Sequence, residues 1–171
     1  MEDVFTVQDI TGSNWKQFQD LTNSVLGINY PDEFFQEVFD GKNIERNRLL
    51  VVGKVVVLSN EVVAGIKGFS LAGNQGISVR PTALYLEVLV VAKRFRRLGL
   101  GGKLLEYVER ECRRCYIRSL CVHTPSTNVE AITWYLKHGF HKTTEVQDYY
   151  RSVFDADTIS STAVVLQKYL A

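Results

Sequence analysis

One stretch of the chain decides its fold: residues 84–101 read LYLEVLVVAKRFRRLGLG. From Ala83 to Val91 the sequence is almost continuously apolar, which predicts a strand covered on both faces. A helix that begins near Leu98 follows, with charged residues on one side and apolar residues at steps of three and four on the other. These apolar residues are Leu104, Leu105, Val108, Cys112 and Cys115. The stretch therefore predicts a buried strand, a basic glycine turn and an amphipathic helix.

The turn between this strand and this helix has the composition of an anion site. Gly99 and Gly101 let the main chain approach a ligand without interference from a Cβ atom, and the start of a helix is electropositive. Outlying phosphates are within reach of Lys93, Arg94, Arg96 and Arg97. Leu104 stands where a dinucleotide fingerprint needs its third glycine, and no Gly-Lys-Ser/Thr follows as in a Walker loop. The turn is therefore predicted to bind an anion, but by neither of these nucleotide motifs.

The rest of the chain reads as strands followed by alternating helices and strands. A short strand near Phe5 and Val7 comes first, and Ala72–Thr82 reads as a loop. The predicted helices are Asn14–Val25, Tyr30–Phe39 and Asn128–His138, and the other predicted strands are Leu49–Leu58, Val62–Leu71, Ser119–His123, Phe140–Val146 and Ala163–Leu170. This order predicts a mixed α/β or α+β sheet in one domain spanning residues 1–171.

The length, composition and charge of the chain limit which classes of function are possible. With 171 residues, 46% of them hydrophobic and 23% charged, the chain has the balance of a globular domain. Its net charge of +1 gives no global field that would draw it to nucleic acid or to an anionic membrane. No apolar run approaches the roughly 20 residues of a transmembrane helix, and the N-terminus lacks a signal-peptide pattern. We therefore expect an intracellular protein with no direct nucleic-acid or membrane partner.

The three cysteines, Cys112, Cys115 and Cys121, are an odd number, which favours reduced thiols over a disulfide framework. Cys112-Arg-Arg-Cys115 has the spacing of a metal or redox motif. No second cysteine pair accompanies it, and both residues fall on the apolar stripe of the helix. We interpret them as core residues and predict no metal site.

The basic turn also resembles the signature of a known superfamily. Arg96-x-x-Gly99-x-Gly101 matches the R/Q-x-x-G-x-G/A motif of the GNAT acetyltransferases, although a glycine turn with solvated arginines is the structural alternative. Asn128 and Tyr135–Phe140 resemble the N-x6-Y-x3-G-F segment that flanks the cofactor thiol. The resemblance implies acetyl-CoA as cofactor and a mixed twisted sheet, flanked by helices and split near the acetyl-CoA site. The cofactor-binding residues that it implies are Leu89, Val90, Val91, Arg96, Arg97, Leu98, Gly99, Leu100, Gly101, Gly102, Asn128 and Tyr135.

Further identities narrow the resemblance to the San family, the catalytic subunit of N-terminal acetyltransferase E. They are Leu84-Tyr85-Leu86, Phe95–Gly99, the spacing of His123 and Asn128, Tyr149-Tyr150 and Val165–Lys168. The match runs from about Val25 to the C-terminus, with extra residues around Gly41–Arg48, Gly73–Pro81 and Asp157–Thr162. The resemblance implies acetylation of protein N-termini that retain methionine followed by an apolar residue. It also implies association with the N-terminal acetyltransferase A complex at the ribosome, in the cytoplasm and also in the nucleus.

In the San family a tyrosine and a histidine on adjacent strands order a water that acts as general base, and by motif these are Tyr85 and His123. Tyr135 is implied as an acid for the departing thiolate, or as a hydrogen-bond donor to the sulfur. An α-ammonium of pKa about 7.8 costs about 1 kcal/mol to deprotonate at pH 7, against about 4.6 kcal/mol for lysine. A neutral imidazole suits the first task better. The alternatives are a histidine satisfied inside its strand and tyrosines that belong to the core.

Two departures from the San pattern fall at the acceptor end. The family holds the methionine with a Phe-Pro-Val-x-Tyr loop, where this chain has Leu26-Gly27-Ile28-Asn29-Tyr30, so the loop is predicted to be less preorganised. Glu87 replaces an apolar residue on the strand face that carries Tyr85. It could clamp the substrate ammonium, act as an extra base or pair with a core-facing Arg or Lys. The predicted substrate-binding residues are Leu26, Gly27, Ile28, Tyr30, Glu87, Tyr149 and Tyr150.

Three other interpretations stay open. A lysine or polyamine acetyltransferase would share the cofactor half, and a thin acidic groove of Asp32, Glu33, Glu37 and Glu87 would serve the polyamine case. A catalytically silent scaffold that binds acetyl-CoA is the second, although the retained catalytic residues count against it. Covalent transfer through Cys121 is the third. We favour direct transfer within a ternary complex.

Overall fold

The computed structural model describes residues 4–71, 82–150 and 162–171. Within these ranges a seven-stranded sheet is flanked by helices on both faces. Its strands are β1 (Thr6–Asp9), β2 (Arg48–Leu58), β3 (Glu61–Leu71), β4 (Leu84–Val91), β5 (Ser119–Pro125), β6 (His141–Val146) and β7 (Ala163–Tyr169). The helices are α1 (Trp15–Leu26), α2 (Asp32–Gln36), α3 (Leu100–Arg114) and α4 (Val129–Lys137). The predicted mixed α/β architecture is confirmed.

The sheet is split at its centre. The strand order is β1-β2-β3-β4-β5-β7-β6, and neighbours are antiparallel except for the parallel pair β4 and β5. Those two strands pair only from Leu84 with Leu120 to Leu86 with Val122, whereas β4 continues to Val91. The two strands therefore diverge beyond Leu86, which opens the sheet where the resemblance implied a cofactor site.

The central strand β4 is irregular at Glu87. Lys67 of β3 pairs with Val88, but the next residue of β3, Gly68, pairs with Leu86, so Glu87 is an extra residue in β4. The strand was predicted to be covered on both faces. The structure instead alternates buried and half-buried residues, because Tyr85, Glu87 and Leu89 lie on a cavity.

Helices cover both faces of the sheet. The predicted apolar stripe of α3 is confirmed, with Leu104, Leu105, Val108 and Cys112 buried in one core. Phe18 of α1 and the two phenylalanines of α2, Phe34 and Phe35, are buried in the core on the other face. The predicted helix at Tyr30–Phe39 was too long, because α2 ends at Gln36 and residues 37–41 form turns.

The hairpin of β2 and β3 was correctly predicted. Ser59 and Asn60 form its turn with φ of +48° and +65°, a conformation that asparagine tolerates. The predicted loop Ala72–Thr82 lies outside the described residues except for Thr82. No helix within the described part of the chain has the length and apolar character that a membrane span requires.

Candidate active site

A cavity of ≈ 670 Å³ opens where β4 and β5 diverge. Its walls come from the α1–α2 loop, the middle of β4, the end of β5, α4 and the segment after β6. The predicted site residues that line it are Leu26, Ile28, Tyr30, Tyr85, Glu87, Leu89, His123, Asn128, Tyr135, Tyr149 and Tyr150. Residues from distant parts of the chain therefore meet in one cavity.

The turn from β4 into α3 presents backbone amides. Gly99 precedes the helix with φ of +77°, in the left-handed region that disfavours a side chain. The amide of Lys103 donates to Gly99 O at 3.1 Å, so the amides of residues 100–102 lie ahead of the first helical hydrogen bond. Among the described side chains none caps this end of α3. These amides and the helix dipole fit the diphosphate of an acyl-CoA.

Gly101 packs against α4. A Cβ atom built on it would lie 3.1 Å from Cζ2 of Trp134, closer than most Cβ contacts. The sequence suggested that this glycine lets the main chain approach a ligand. The structure shows that it also lets the first turn of α3 approach Trp134. Gly102 is less constrained, because its Cβ would lie 3.6 Å from Nε2 of His138, an ordinary contact.

The arginines of the turn differ in their surroundings. Nε of Arg96 donates to Val91 O at 3.2 Å, and its guanidinium lies 3.8 Å from Glu130 of α4. Arg97 has φ of +64°, a conformation that non-glycine residues seldom adopt. Arg97 and Leu98 are both exposed. Arg96 therefore fixes the turn to the end of β4, while Arg97 is accessible to an anionic ligand.

Helix α4 contributes two predicted site residues. Oδ1 of Asn128 accepts a hydrogen bond from the Ala131 amide at 3.1 Å, so this residue caps the helix as well as lining the cavity. Tyr135 is buried, with its ring edge-on to Phe140 at a centroid distance of 5.1 Å. Burial raises the pKa of the Tyr135 phenol, which therefore stays protonated and can donate a hydrogen bond.

Three rings form the polar centre of the cavity. The ring centroids of Tyr85 on β4 and His123 on β5 are 5.1 Å apart. Tyr149 stacks on His123 with centroids 4.6 Å apart and an interplanar angle of 7°. Its hydroxyl also lies 3.3 Å from that of Tyr85. The structure therefore brings together the tyrosine and the histidine that the sequence singled out and adds Tyr149 to them.

The protonation states of these rings follow from burial. Burial lowers the pKa of the His123 imidazole, and burial followed by the hydrogen bond to Tyr149 raises the pKa of Tyr85. At neutral pH the imidazole is uncharged and the phenol is protonated. Nδ1 of His123 is buried and finds no hydrogen-bond partner among the described residues. An uncharged imidazole with an unpaired nitrogen can accept a proton.

The α1–α2 loop is held by side chains of α1. Gly27 ends α1 with φ of +66°, which excludes the proline of the San pattern because proline is fixed near −65°. Asn23 Oδ1 accepts from the Tyr30 amide at 3.0 Å, and Gln19 Nε2 donates to Tyr30 O at 2.9 Å. These hydrogen bonds order the loop of residues 26–30, although the absence of the proline predicted a less preorganised loop. Leu26, Ile28 and Tyr30 line the cavity, whereas Gly27 shapes the loop.

Glu87 lies in a buried ionic cluster, defined here as Glu37, Arg48, Lys67 and Glu87. The guanidinium of Arg48 donates to both oxygens of Glu87 at 2.9 and 3.2 Å and also pairs with Glu37. Lys67 is fully buried and donates to Glu87 and, at 2.6 Å, to Glu37. The structure therefore shows the ion-pair alternative for Glu87, although this residue also lines the cavity.

Opposing effects act on the ionic cluster. Burial alone would raise the pKa of Glu37, but the hydrogen bond and charge of Lys67 hold it below its usual range. Burial lowers the pKa of Lys67, and its two carboxylate partners oppose that shift. The close contacts of Lys67 with both carboxylates favour its charged form.

The cysteines have the properties of structural residues. Cys112 is fully buried, and burial raises the pKa of its thiol to about 12. Burial also raises the pKa of Cys121, which makes this thiol a poor nucleophile and favours direct transfer. Across the described ranges no group of three or more His, Cys, Asp and Glu side chains could hold a metal ion.

A comparison with known families identifies this arrangement. Residues 15–140 match the Acetyltransferase (GNAT) family. The chain belongs to the GNAT acetyltransferase family. Membership confirms the prediction of an acetyl-CoA-dependent N-acyltransferase with acetyl-CoA as its cofactor.

Individual GNAT relatives agree with the San resemblance. Over 165 residues the chain is 28% identical to N-alpha-acetyltransferase 50 of Danio rerio, which covers 95% of this chain and 86% of that protein. Over 163 residues it is 26% identical to the probable N-acetyltransferase san of Drosophila melanogaster, covering 95% and 79%. The structure of Arabidopsis thaliana Naa50 in complex with the bisubstrate analogue CoA-Ac-MVNAL matches with a TM-score of 0.74 at 22% identity, covering 96% and 97%. The predicted similarity to the San family is confirmed.

Sequence reasoning missed three members of the ionic cluster as site residues. Glu37 was considered only as part of an acidic groove, and Arg48 and Lys67 were not singled out. The available signal was Lys67 itself, a lysine placed between Ile66 and Gly68 inside a valine-rich strand. A charged residue in such a strand requires a partner of opposite charge, and Glu87 has the same property.

Proposed function

We propose that this GNAT enzyme is an N-terminal α-acetyltransferase, which transfers the acetyl group of acetyl-CoA to the free α-amino group of proteins. The observation that carries this proposal is the meeting of Tyr85, His123 and Tyr149 in the cavity beside the loop of residues 26–30. The name of the zebrafish relative, N-alpha-acetyltransferase 50, supports it, and the fly relative is named a probable N-acetyltransferase. A tyrosine-histidine base suits an α-amine at the end of a peptide, because this amine needs less free energy to deprotonate than a lysine.

The first residue of the acceptor is proposed to be a retained methionine, followed by an apolar residue. The apolar side chains of Leu26, Ile28 and Phe34 on the cavity wall support this choice. The acetylated peptide portion of the analogue bound to Arabidopsis Naa50 begins with Met-Val. Tyr149 and Tyr150, which also line the cavity, are proposed to hold the peptide backbone through their hydroxyls.

The residues of the site divide the reaction between them. Bound acetyl-CoA supplies the acetyl group as an activated thioester. The amides of residues 100–102, with Arg97, hold its phosphates, and main-chain amides near Leu89–Val91 polarise its carbonyl. His123, which burial keeps uncharged, removes the amine proton through a water ordered with Tyr85. Tyr135 donates a hydrogen bond to the leaving sulfur.

The polyamine alternative loses support from the ionic cluster. A polyamine acceptor would need an acidic groove with charge to spare, but Arg48 and Lys67 balance the charges of Glu37 and Glu87. Asp32 lies 3.9 Å from Lys16 and accepts a hydrogen bond from Gln19. The groove suggested by the sequence is therefore largely neutralised.

The partner and location are proposals that rest on the San resemblance. We propose association with the N-terminal acetyltransferase A complex at the ribosome, and a cytoplasmic location with a nuclear pool. Co-purification with the subunits of that complex and fractionation of cells test them. If the protein is absent from both ribosomal and complex-bound fractions, the proposed association with that complex is wrong.

The proposed activity is tested with a panel of short peptides and acetyl-CoA. Peptides with a free α-amine that start with Met-Val, Ser or Ala are compared with N-blocked peptides that carry lysine. We expect the Met-Val peptide to have the highest kcat/KM. A lead for blocked lysine peptides would overturn the substrate class, and tight acetyl-CoA binding without any product would favour the silent scaffold.

A further inference from the structure

The part of the cavity lined by Tyr30, Phe34 and Glu87 is called here the acceptor wall, because it lies where the acceptor peptide is proposed to bind. The ionic cluster of Glu37, Arg48, Lys67 and Glu87 forms part of this wall. Lys67 Nζ lies 3.9 Å from the ring centroid of Phe34, and this ring is 4.5 Å from that of Tyr30. Phe34, Tyr30 and Glu87 all line the cavity. The cluster therefore reaches the acceptor through Glu87 directly and through Phe34.

The charges at this wall are balanced. Two carboxylates face two cations, and these come from four elements: the end of α2, β2, β3 and β4. Arg46 lies 3.9 Å from Glu37 on the outer side and is 55% exposed. His123, Tyr30, Tyr85 and Tyr150 are uncharged at neutral pH, because burial lowers the pKa of His123 and raises the pKa values of the three tyrosines. Tyr149 is a phenol at the same wall.

A protonated acceptor would upset this balance. An α-ammonium beside Glu87 would be a third cation next to two carboxylates, and Lys67 and Arg48 already donate to the same carboxyl group. Because the wall is largely shielded from water, the like charges repel strongly. The uncharged amine meets no such repulsion. It can donate to Oε1 of Glu87, which accepts a single hydrogen bond from the described residues and has capacity for another.

We infer that Arg48 and Lys67 are positioning residues that neutralise Glu87, so that the acceptor amine is held in the site as the uncharged base. This inference rests on the proposed function. The N–H bond of the ammonium breaks, its proton passes through the water at His123 to solvent, and the nitrogen keeps the electron pair that forms the new C–N bond. The cluster favours the product of that proton transfer, and His123 provides the path.

The test compares two single variants that change the charge of the cluster in opposite directions. The quantity compared is the acidic limb, the fall of kcat for a Met-Val peptide as the pH is lowered and the bound amine becomes protonated. Glu87→Gln leaves an excess positive charge, which disfavours the ammonium, so this limb should move to lower pH by about one unit. Lys67→Met leaves an excess negative charge, which favours the ammonium, and the limb should move to higher pH by about one unit. A role in folding alone would not produce shifts of opposite sign.

The matched control is the double variant Glu37→Gln with Lys67→Met. It lacks Lys67 but keeps one carboxylate and one cation, so its limb should stay with that of the wild-type enzyme. A direct readout is the titration of a peptide labelled with ¹³C at the first Cα, bound to each enzyme together with coenzyme A. The α-amine of the labelled peptide should titrate at lower pH in the Glu87→Gln complex than in the wild-type complex.

The outcomes separate this inference from the proposed function. Limbs that coincide in all variants, or that move in the same direction in both single variants, would overturn the inference while acetylation of the α-amine continues. If the wild-type enzyme acetylates no α-amine at any pH, the proposed function itself fails, and the inference falls with it. If thermal unfolding shows that Lys67→Met does not fold, the acidic limbs of Glu87→Gln and of the double variant are compared instead. A limb at lower pH in Glu87→Gln alone supports the inference, and coinciding limbs overturn it.

Discussion

The rings of His123 and Tyr149 are stacked, with centroids 4.6 Å apart and planes within 7° of parallel. His123 belongs to β5, whereas Tyr149 follows β6 and also contacts Tyr85 of β4 through its hydroxyl. The proposed base, His123, is therefore positioned by its own strand β5 and by the ring of Tyr149 in the segment after β6. Its orientation depends on an aromatic contact that is distant in sequence.

Loss of the stacking ring should impair the base without removing it. Tyr149→Ala should lower kcat/KM about five-fold, because an aromatic pair of this kind contributes roughly 1 kcal/mol beyond its buried area. Tyr149→Phe keeps the stack and loses the hydroxyl, with its 3.3 Å contact to Tyr85 and its proposed contact to the peptide, so its effect should be smaller. Steady-state kinetics with a Met-Val peptide measure both. Equal losses in the two variants would assign the effect to the hydroxyl instead.

The two residues of the proposed base should act on turnover and not on cofactor binding. His123→Ala should lower kcat about 100-fold or more, which is the usual contribution of a general base, and Tyr85→Phe should lower it less because the ring remains. Acetyl-CoA affinity, measured by calorimetry, should be unchanged in both. Normal turnover in His123→Ala would remove this residue from the mechanism.

The pH dependence should separate the acceptor from the base. The free α-amine of pKa about 7.8 gives a first acidic limb in kcat/KM. Because burial lowers the pKa of His123 below its usual value of about 6.5, the imidazole is uncharged down to that lowered pKa, and a second, steeper fall should begin only below pH 6.5. The second fall should be missing in His123→Ala. A second fall that starts above pH 6.5 would contradict the role of burial.

The turn before α3 should be essential for binding acetyl-CoA. Gly99→Glu places a carboxylate and a strained backbone at the amides that receive the diphosphate, so affinity should fall by at least 100-fold. Gly41→Glu is the matched control, because Gly41 also has positive φ, +67°, and open space around its Cβ position. Both variants should lose similar stability in thermal unfolding, and Gly41→Glu should bind acetyl-CoA normally. Equal loss of affinity would mean that strain and not position is responsible.

The fold was predictable where local pattern and tertiary structure agree. The apolar strand β4, the glycine turn and the amphipathic helix α3 are adjacent in sequence, and their periodicity already identifies each element. The boundary of α2 was not predicted. The helix is capped at Glu37, whose carboxylate pairs with Arg48 on β2 and Lys67 on β3. Those partners lie 11 and 30 residues away in sequence, so no local pattern shows them.

Sequence motifs predicted the glycine turn that begins α3 and the proximity of Tyr85 and His123, while the roles of these residues stay predictions. The stacking of Tyr149 and the environment of Glu87 required the folded chain. Glu87 is an extra residue in β4, and its partners Lys67 and Arg48 are separated from it by 20 and 39 residues. Its isolation among apolar neighbours indicated that it has a partner, but only the packing of three strands shows which one.

The most direct measurement uses one peptide that offers both acceptors, a free Met-Val N-terminus and an internal lysine. After incubation with the enzyme and acetyl-CoA, tandem mass spectrometry locates the acetyl group. We predict acetylation of the α-amine while the lysine stays free. An acetyl group on the lysine Nζ with a free N-terminus would contradict the proposed function.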